Sequence, residues 1–317
     1  MHLLKLSSLG TNLQYSFLYL SVFLKSKNRR VVSLDSPLFK EKKLNVLVQI
    51  DESPFDQCSG NKWWKLKYNL LEAKEKKFSR VLTFGGAYSN HILAVSKAAQ
   101  EMKIKSVGII RGEELDDTNP TLNRAKQNGM ELHFVDRATY REKDSIDWSK
   151  KFENSFIIPE GGTNRLAVKG CQEFLVTDSF DYVCCSVGTG GTISGIIKSL
   201  NKNQLAIGFS ALKNGLFLED QIKKYVDREN WSLNHDFHFN GYAKLNKELI
   251  DFMNDFKKTY QIPLDPVYTS KLFYGVFKFI EQDFFPKNKT ILIVHSGGLQ
   301  GIEGMNQKIK TKQWYIE

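Results

Sequence analysis

The chain has 317 residues, of which 41% are hydrophobic and 25% charged, and its formal net charge is +10 at pH 7. This composition is ordinary for a globular protein, and the length suits two lobes better than one core. The basic residues are scattered along predicted helices and no base-reading motif occurs, so we predict no nucleic-acid partner.

The cysteines and the N-terminal residues bear on where in the cell the protein is located. The chain has four cysteines: Cys58, Cys171, Cys184 and Cys185. None belongs to a C-x-x-C pair, so we predict no metal site, and reduced thiols are typical of a cytoplasmic protein. The apolar run Leu13–Leu24 is shorter than the about 20 residues of a membrane helix, and no signal-cleavage site follows it. We therefore predict a cytoplasmic protein with an N-terminal extension at residues 1–33 and no membrane partner.

Strands and helices alternate along most of the remaining chain. Short β-rich or apolar runs predict the strands, and apolar residues at helical spacing predict the helices. The first series is strand Val46–Ile50, helix Trp64–Lys77, strand Arg80–Phe84, helix Ser89–Met102, strand Ser106–Ile110, helix Asn119–Asn128 and strand Leu132–Val135. The second is strand Phe156–Ile158, helix Leu166–Asp178, strand Tyr182–Val187, helix Thr192–Leu200, and strands Leu205–Phe209 and Thr290–Val294. We interpret Ser210–Ile262 as helices packed outside the sheet.

Two such series predict an α/β fold with two lobes, each a parallel-rich sheet flanked by helices. We assign residues 34–64 and 159–317 to a large cofactor-binding domain and residues 65–158 to a small domain. A ligand would lie in the cleft between them, at the carboxyl ends of the strands.

Three glycine-bearing turns stand where a predicted strand meets a helix: Gly85–His91, Val187–Thr192 and His295–Gly301. Each places unpaired backbone N–H groups at a helix N-terminus, where anions bind. The second turn fails the dinucleotide fingerprint because Ile193 replaces its third glycine, and no P-loop occurs. We therefore predict a phosphorylated cofactor that is not a nucleotide, held by Gly188, Thr189, Gly190, Gly191 and Thr192.

Lys62 stands at the start of a predicted helix, in Ser59-Gly60-Asn61-Lys62-Trp63-Trp64. Burial beside two indoles would lower the pKa of this amine below its ordinary value of about 10.4. An amine that can lose its proton near a phosphate site suits pyridoxal phosphate, because the amine condenses with the cofactor's aldehyde. The alternative is a solvated lysine at a helix start.

Together the motifs resemble those of the 1-aminocyclopropane-1-carboxylate deaminase and D-cysteine desulfhydrase family of pyridoxal phosphate enzymes. The resemblance covers about residues 36–305, in six stretches in the same order: Ser59–Leu66, Thr83–His91, Ile158–Gly170, Asp181–Gly195, Asp265–Lys271 and His295–Gly301. It implies the two-lobed tryptophan-synthase-β-like fold (fold type II) with pyridoxal 5'-phosphate in the cleft, a small amino-acid substrate and a homodimer.

The resemblance also implies roles for single residues. Lys62 is the lysine that bonds the cofactor, Asn90 contacts its phenolic oxygen, and the residues from Gly188 to Thr192 hold its phosphate. Ser89 is the active-site nucleophile position and would also bind the substrate carboxylate; it could equally be a plain helix cap. Tyr268 lies near the substrate and could act in proton transfer, or it is a core aromatic.

Two positions bear on the substrate. Deaminases of the cyclopropane acid resemble one another in having Glu and Leu where this chain has Thr269 and Ser296, and small hydroxyls resemble the desulfhydrase side. Ser296 or Thr269 would hydrogen-bond the pyridine nitrogen and leave the ring less electron-withdrawing than an acid would, which suits β-elimination. We therefore predict a D-cysteine desulfhydrase that forms pyruvate, sulfide and ammonia. The alternatives are 1-aminocyclopropane-1-carboxylate deaminase, forming 2-oxobutanoate and ammonia, and a catalytically weak pyridoxal phosphate-binding protein.

The chain departs from the family pattern in two places. Trp64 replaces the arginine of the usual G-N-K-x-R-K-L motif, and the stretch Gln49–Glu52 replaces one that often reads Arg-x-Asp-Asp. The loss of two arginines bears on substrate identity more than on cofactor binding. His91, after Ser89 and Asn90, either touches the substrate or is structural.

Overall fold

The computed structural model describes residues 29–51, 57–58, 60–113 and 119–317. Its strands are β1 (Arg29–Leu34), β2 (Asn45–Asp51), β3 (Arg80–Gly86), β4 (Lys105–Arg111), β5 (Met130–Val135), β6 (Ser155–Ile157), β7 (Tyr182–Val187), β8 (Leu205–Ser210), β9 (Trp231–Asn234) and β10 (Thr290–His295). The apolar run Leu13–Leu24 lies outside these ranges. Among the residues within them, no helix combines the length and the apolar character needed to cross a membrane.

The helices lie between these strands. They are α1 (Pro37–Lys42), α2 (Asn61–Glu75), α3 (Asn90–Glu101), α4 (Pro120–Gln127), α5 (Arg137–Arg141), α6 (Arg165–Cys171), α7 (Gly191–Ser199), α8 (Phe217–Lys223), α9 (Lys247–Tyr260), α10 (Thr269–Glu281) and α11 (Gly301–Ile309). Several begin at a side-chain cap where the sequence offers one, as Asn119 does for α4 and Asn246 for α9. These caps accept hydrogen bonds from backbone N–H groups that have no partner inside the helix.

The strands form two sheets. The larger has six strands in the order β1-β2-β10-β7-β8-β9, and the smaller has four in the order β5-β4-β3-β6. All neighbouring strands are parallel except β1 and β2. Parallel sheets are covered by helices on both faces, and the strands are accordingly rich in buried apolar residues. The predicted α/β fold with two parallel-rich sheets is confirmed.

The large sheet is buried on both faces because successive side chains of a strand point to opposite sides. Cys184 of β7 packs into the cluster that includes α9 and α10, whereas Cys185 packs into the cluster that includes α2 and α7. Both are at most 1% exposed, as small hydrophobic residues would be. The cluster that contains Cys185 continues beneath the small sheet, so α2 is buried between the cores of the two sheets.

The predicted N-terminal extension is too long at its C-terminal end. Residues 29–33 belong to β1, which pairs antiparallel with β2 from Arg29 opposite Asp51 to Leu34 opposite Val46. This strand was not predicted from the sequence because it begins with two adjacent arginines. An edge strand tolerates such residues, since only one of its sides needs to be apolar. Residues 29–33 therefore belong to the large sheet. The assigned boundary at residues 64 and 65 falls inside α2, which is one continuous helix.

Two further predictions were wrong in part. The helix predicted over Leu166–Asp178 ends at Cys171. Beyond it, the buried amide of Gln49 donates to the Phe174 carbonyl at 2.8 Å and accepts from the Val176 N–H at 3.0 Å. Those bonds satisfy the backbone of a non-helical segment. The stretch Ser210–Ile262 contains α8 and α9, but also β9, which extends the sheet beyond β8.

Candidate active site

The N-terminus of α2 lies directly against the end of β10. Gly60 has φ +62, and a Cβ atom placed on it would lie 2.0 Å from the carbonyl oxygen of Ser296. Only glycine tolerates both this conformation and this contact. The motif around Lys62 and the motif around Ser296 are therefore in contact, although they are far apart in the sequence.

Lys62 is partly buried at this junction. Its Nζ donates to Asn61 Oδ1 at 3.0 Å and lies 5.9 Å from the ring centroid of Tyr268. Burial lowers the pKa of the amine, and the charge of Asp265 opposes this only in part. The amine therefore loses its proton more readily than a solvated lysine does.

The glycine turn at residues 188–192 lies beside Lys62. Asn61 Nδ2 donates to Thr192 Oγ1 at 2.8 Å, which ties the start of α2 to the start of α7. Gly190 has φ +80 and precedes the helix. A Cβ on Gly188 would lie 2.9 Å from the Tyr268 ring, so this residue must be small. The structure brings Lys62, Tyr268 and the whole predicted phosphate turn together.

Lys65 is a functional candidate that the sequence analysis missed. Its side chain is 4% exposed, and Nζ donates to the Gly161 carbonyl at 2.5 Å and to the Thr163 and Thr189 hydroxyls at 3.0 and 3.2 Å. Burial, together with the charge of Lys62, lowers its pKa to about 7. The spacing could have revealed it, because residues three apart on a helix share a face.

The turn has the shape and donors of a phosphate site. A Cβ on Gly191 would lie 2.7 Å from Thr163 Oγ1 and 3.1 Å from Lys65 Cε, so only glycine leaves this space open. The first N–H groups of α7, the hydroxyls of Thr163 and Thr189, and the Lys65 amine surround it. The Thr192 hydroxyl is turned toward Asn61, so at Thr192 the backbone N–H is the available donor. These residues fit the phosphate of pyridoxal phosphate.

The two hydroxyls predicted to face the pyridine nitrogen are placed differently. Ser296 is partly buried at the end of β10, with its Oγ 3.4 Å from Ser186 Oγ. Thr269 is 0% exposed, and its Oγ1 accepts from the Asp265 N–H at 2.7 Å. Thr269 is thus committed to the start of α10. Ser296 is the hydroxyl that lies beside Lys62's helix.

Asp265 is the acidic residue of this region, and its carboxylate is occupied. Its oxygens accept from the backbone N–H groups of Val267, Tyr268 and Thr269, at 2.9, 3.0 and 2.7 Å. A carboxylate at the first turn of a helix is stabilised by the helix dipole. Asp265 therefore holds Tyr268 in position.

Ser89 and Asn90 lie at the start of α3, on the small domain. Ser89 Oγ accepts from the Ile92 N–H at 3.3 Å, so the helix cap is observed. The role of Ser89 as active-site nucleophile and carboxylate binder stays a prediction. A Cβ on Gly298 would lie 3.1 Å from Asn90 Nδ2, so Asn90 faces the turn after β10. The three glycine turns therefore meet at one cleft.

His91 lies behind the cleft wall. The Thr83 hydroxyl donates to the Ile158 carbonyl at 2.9 Å and so accepts from His91 Nε2–H at 2.8 Å. Burial, reinforced by the charges of Lys65 and Lys62, holds the pKa of this histidine well below its usual range. The ring is 4% exposed and neutral, which favours the structural interpretation.

Trp64 also lies away from the cleft surface. The indole is 2% exposed, and its Nε1 donates to Asp51 Oδ2 at 2.5 Å, while the Arg29 guanidinium stacks 4.5 Å from the ring centroid. Burial raises the pKa of Asp51 to about 6, opposed by the Trp64 hydrogen bond and the charge of Arg29. The replacement of the family arginine by Trp64 therefore changes the support of α2 rather than the substrate-facing surface.

Comparison with known proteins agrees with this geometry. The chain is 31% identical over 293 residues to a protein of Thermotoga maritima named "Putative 1-aminocyclopropane-1-carboxylate deaminase", covering 84% of this chain and 92% of the relative. It is 28% identical over 285 residues to the mitochondrial bifunctional D-cysteine desulfhydrase/1-aminocyclopropane-1-carboxylate deaminase of Arabidopsis thaliana, covering 78% and 70%. A solved structure of an ACC deaminase homologue matches with a TM-score of 0.74 at 24% identity, covering 89% and 93%.

The family model described as pyridoxal-phosphate dependent enzyme matches residues 38–297, which take in β2 to β10, the first two glycine turns and the start of the third. The likeness to solved structures also shows the two-lobed fold type II architecture. With a lysine of lowered pKa beside a turn that fits a phosphate, the chain belongs to the family of pyridoxal-phosphate dependent enzymes.

Proposed function

We propose that the protein is a D-cysteine desulfhydrase, which converts D-cysteine and water into pyruvate, hydrogen sulfide and ammonia. The observation that carries this choice is the Ser296 hydroxyl at the end of β10, beside the helix that carries Lys62. Asp265, the acid of the region, is already occupied by three backbone N–H groups. A neutral partner for the pyridine nitrogen favours rapid loss of the β-substituent over other fates of the substrate.

Pyridoxal phosphate supplies an electron sink for the pair left when the substrate loses its α-proton. Lys62 and Lys65 are the amines near the cofactor site, and we assign them different roles. Lys65, hydrogen-bonded to Thr163 and Thr189, holds the phosphate together with the N–H groups from Gly188 to Thr192. Lys62, whose pKa is lowered by burial, would bond the cofactor aldehyde and would serve as the base for the substrate's α-proton.

Tyr268 acts as an acid in this proposal. Burial raises its pKa well above the usual range, and the neighbouring Tyr242 adds to the effect. Its hydroxyl therefore keeps its proton at neutral pH and can deliver it to the departing sulfur. A group that holds its proton this firmly is a poor base, which assigns proton removal to Lys62.

The small domain holds the substrate. Ser89 and the first N–H groups of α3 bind the substrate carboxylate, because a helix N-terminus stabilises an anion. Asn90, which faces Gly298 across the cleft, contacts the cofactor's phenolic oxygen. The four cysteines are all buried and free, which supports a reducing, cytoplasmic location. The homodimer is proposed from the family resemblance.

The second candidate is 1-aminocyclopropane-1-carboxylate deaminase, which would form 2-oxobutanoate and ammonia. One structural observation favours it. Thr269 is fully buried against Asp265, so the position that carries Glu in the deaminases does not face the substrate here. Only Ser296 then separates the two activities.

The deciding experiment identifies the keto acid formed by purified, cofactor-loaded protein. We expect pyruvate from D-cysteine and no 2-oxobutanoate from the cyclopropane acid. Lys62→Ala should lower turnover about 1,000-fold or more and remove the visible absorbance of the cofactor–lysine bond. Formation of 2-oxobutanoate alone would establish the second candidate. Bound cofactor with no product from any D- or L-amino acid would contradict both.

A further inference from the structure

Arg111 is a charged residue at the cleft that no proposed step uses. It ends β4, directly opposite Gly86 in the β3–β4 register, and Gly86 is three residues before Ser89. A Cβ on Gly86 would lie 3.5 Å from the Arg111 Nη2 atom. The exposed guanidinium therefore stands at the carboxyl end of the small sheet, beside the turn that holds the substrate in our proposal.

Within the described ranges, no carboxylate forms an ion pair with Arg111. In the described part of the chain, the contact recorded for its guanidinium is the ring of Tyr140, at 5.7 Å from the centroid. The neighbouring carboxylate, Glu160, lies 3.3 Å from Lys143 Nζ and beside the Tyr140 hydroxyl. Lys143 also lies 3.6 Å from an Asp144 carboxylate oxygen, and Glu160 is paired with Lys143 rather than with Arg111.

The opposite wall of the cleft belongs to the large domain and carries hydroxyls. Tyr242 packs edge-on against Tyr268, with ring centroids 5.9 Å apart. Burial raises the pKa of Tyr242; the charges of Asp265 and Glu160 add to the rise, and the positive charge of Arg111 opposes it. The mouth of the site therefore has a guanidinium on one side and two hydroxyls on the other.

We propose that Arg111 determines a further substrate class, namely amino acids whose β-carbon carries an oxyanion such as a phosphate or sulfate ester. This inference rests on the proposed β-elimination at the same site. With the α-carboxylate at Ser89, a side chain of that kind extends toward the mouth, where the planar guanidinium binds two of its oxygens. The tyrosine hydroxyls on the facing wall donate to a third.

The chemistry needs no added oxidant or reductant. In O-phospho-D-serine, the base takes the Cα proton, and the Cβ–O bond breaks with its electron pair remaining on phosphate. The released enamine reacts with water to give pyruvate and ammonia. The overall change is O-phosphoserine and water to pyruvate, ammonia and phosphate.

The test compares a substrate with an anionic group at the β-carbon, O-phospho-D-serine, with one whose β-substituent is neutral, β-chloro-D-alanine. The measured quantity is the ratio of their kcat/KM values. We expect Arg111→Gln to lower this ratio about 10- to 100-fold. Arg111→Lys should lower it less, because lysine keeps the positive charge but cannot donate the two parallel hydrogen bonds of a guanidinium. The matched control is Lys105→Gln, which removes an exposed charge from the opposite end of the same strand and should leave the ratio within about twofold.

An unchanged ratio in Arg111→Gln, or an equal fall in Lys105→Gln, would overturn the inference. A binding measurement tests it without turnover. Calorimetry with D-2-amino-4-phosphonobutanoate, which has no leaving group, should show about tenfold weaker binding or worse in Arg111→Gln and unchanged binding in Lys105→Gln. If β-chloro-D-alanine yields no pyruvate, the proposed elimination is wrong. If it yields pyruvate and neither anionic probe responds to Arg111, only the present inference is wrong.

Discussion

Two of the glycine turns have the same local design and opposite surroundings. The turn at residues 188–192 opens α7, and its glycines touch Tyr268, Thr163 and Lys65 so closely that a Cβ atom would overlap them. The turn at residues 85–90 opens α3, and its tip is open: Tyr88 is 58% exposed, and Ser89 and Asn90 are partly exposed. Both offer N–H groups to an anion, but only the first surrounds it.

The difference indicates which ligand stays and which one leaves. A phosphate that is held through many turnovers gains from a tight, preorganised site with a buried amine. A substrate carboxylate must enter and depart, so it gains from an open helix N-terminus at the cleft. We therefore expect changes in the first turn to act on cofactor affinity and changes in the second to act on turnover.

The largest expected effect comes from adding one methyl group to each turn. Gly191→Ala places a Cβ 2.7 Å from Thr163 Oγ1, so the cradle must distort, and we expect cofactor affinity to fall about 10- to 100-fold. Gly86→Ala is the matched control, because its nearest heavy atom would be at an ordinary 3.5 Å. Absorbance titration with pyridoxal phosphate measures both, and the control should stay within about twofold. Equal losses of cofactor affinity in the two variants would mean that the turn at residues 188–192 does not bind the phosphate more tightly than the turn at residues 85–90.

The next effect separates capping from catalysis in the open turn. Ser89→Ala should lower kcat/KM about tenfold or more, with cofactor affinity unchanged, and should cost about 1 kcal/mol of stability through the lost cap. Asn119→Ala removes the equivalent cap of α4, where Oδ1 accepts from the Leu122 N–H at 2.9 Å. This control should lose similar stability, measured by thermal or denaturant unfolding, and keep full turnover. If both variants keep full turnover, Ser89 is a cap alone.

The smallest expected effect is the uptake of a proton when the cofactor binds. Burial and the charge of Lys62 lower the pKa of Lys65 to about 7, so at pH 8 this amine is mostly neutral before the cofactor binds. An arriving phosphate dianion favours the charged form and raises the pKa again, so binding should draw a proton from solution. Uptake due to Lys65 should approach one proton at pH 8 and shrink toward pH 6, where the amine is already charged.

Calorimetry in two buffers of different ionisation enthalpy measures this uptake, as the difference between wild type and Lys65→Met. Lys67→Met is the control, because Lys67 is ion-paired with Glu173 at 2.6 Å instead of bonding the turn. The control should match the wild type at each pH. A zero difference for Lys65→Met would show that Lys65 does not bind the phosphate. The open turn has no comparable buried amine among its described contacts.

The regular elements that form the two sheets were largely predictable. Parallel strands buried on both faces are uninterrupted apolar runs, and β3, β4, β7, β8 and β10 were found for that reason. The two edge strands of the large sheet were not predicted, since β1 begins with two arginines and β9 is four residues long. Edge strands take their conformation from a neighbour, and a single sequence does not show the neighbour.

The sequence by itself determined the two parallel-rich lobes and the three glycine turns, and it predicted Lys62 as the reactive amine, because each depends on residues close together in the chain. Tertiary structure decided that Thr269 is buried whereas Ser296 lies beside the start of α2, and it brought Lys65 to the phosphate turn and Arg111 to the edge of the small sheet beside Gly86. These outcomes depend on how α2, α7 and the ends of β4 and β10 pack together. Contacts of that kind join residues more than 100 positions apart, and local sequence patterns do not encode them.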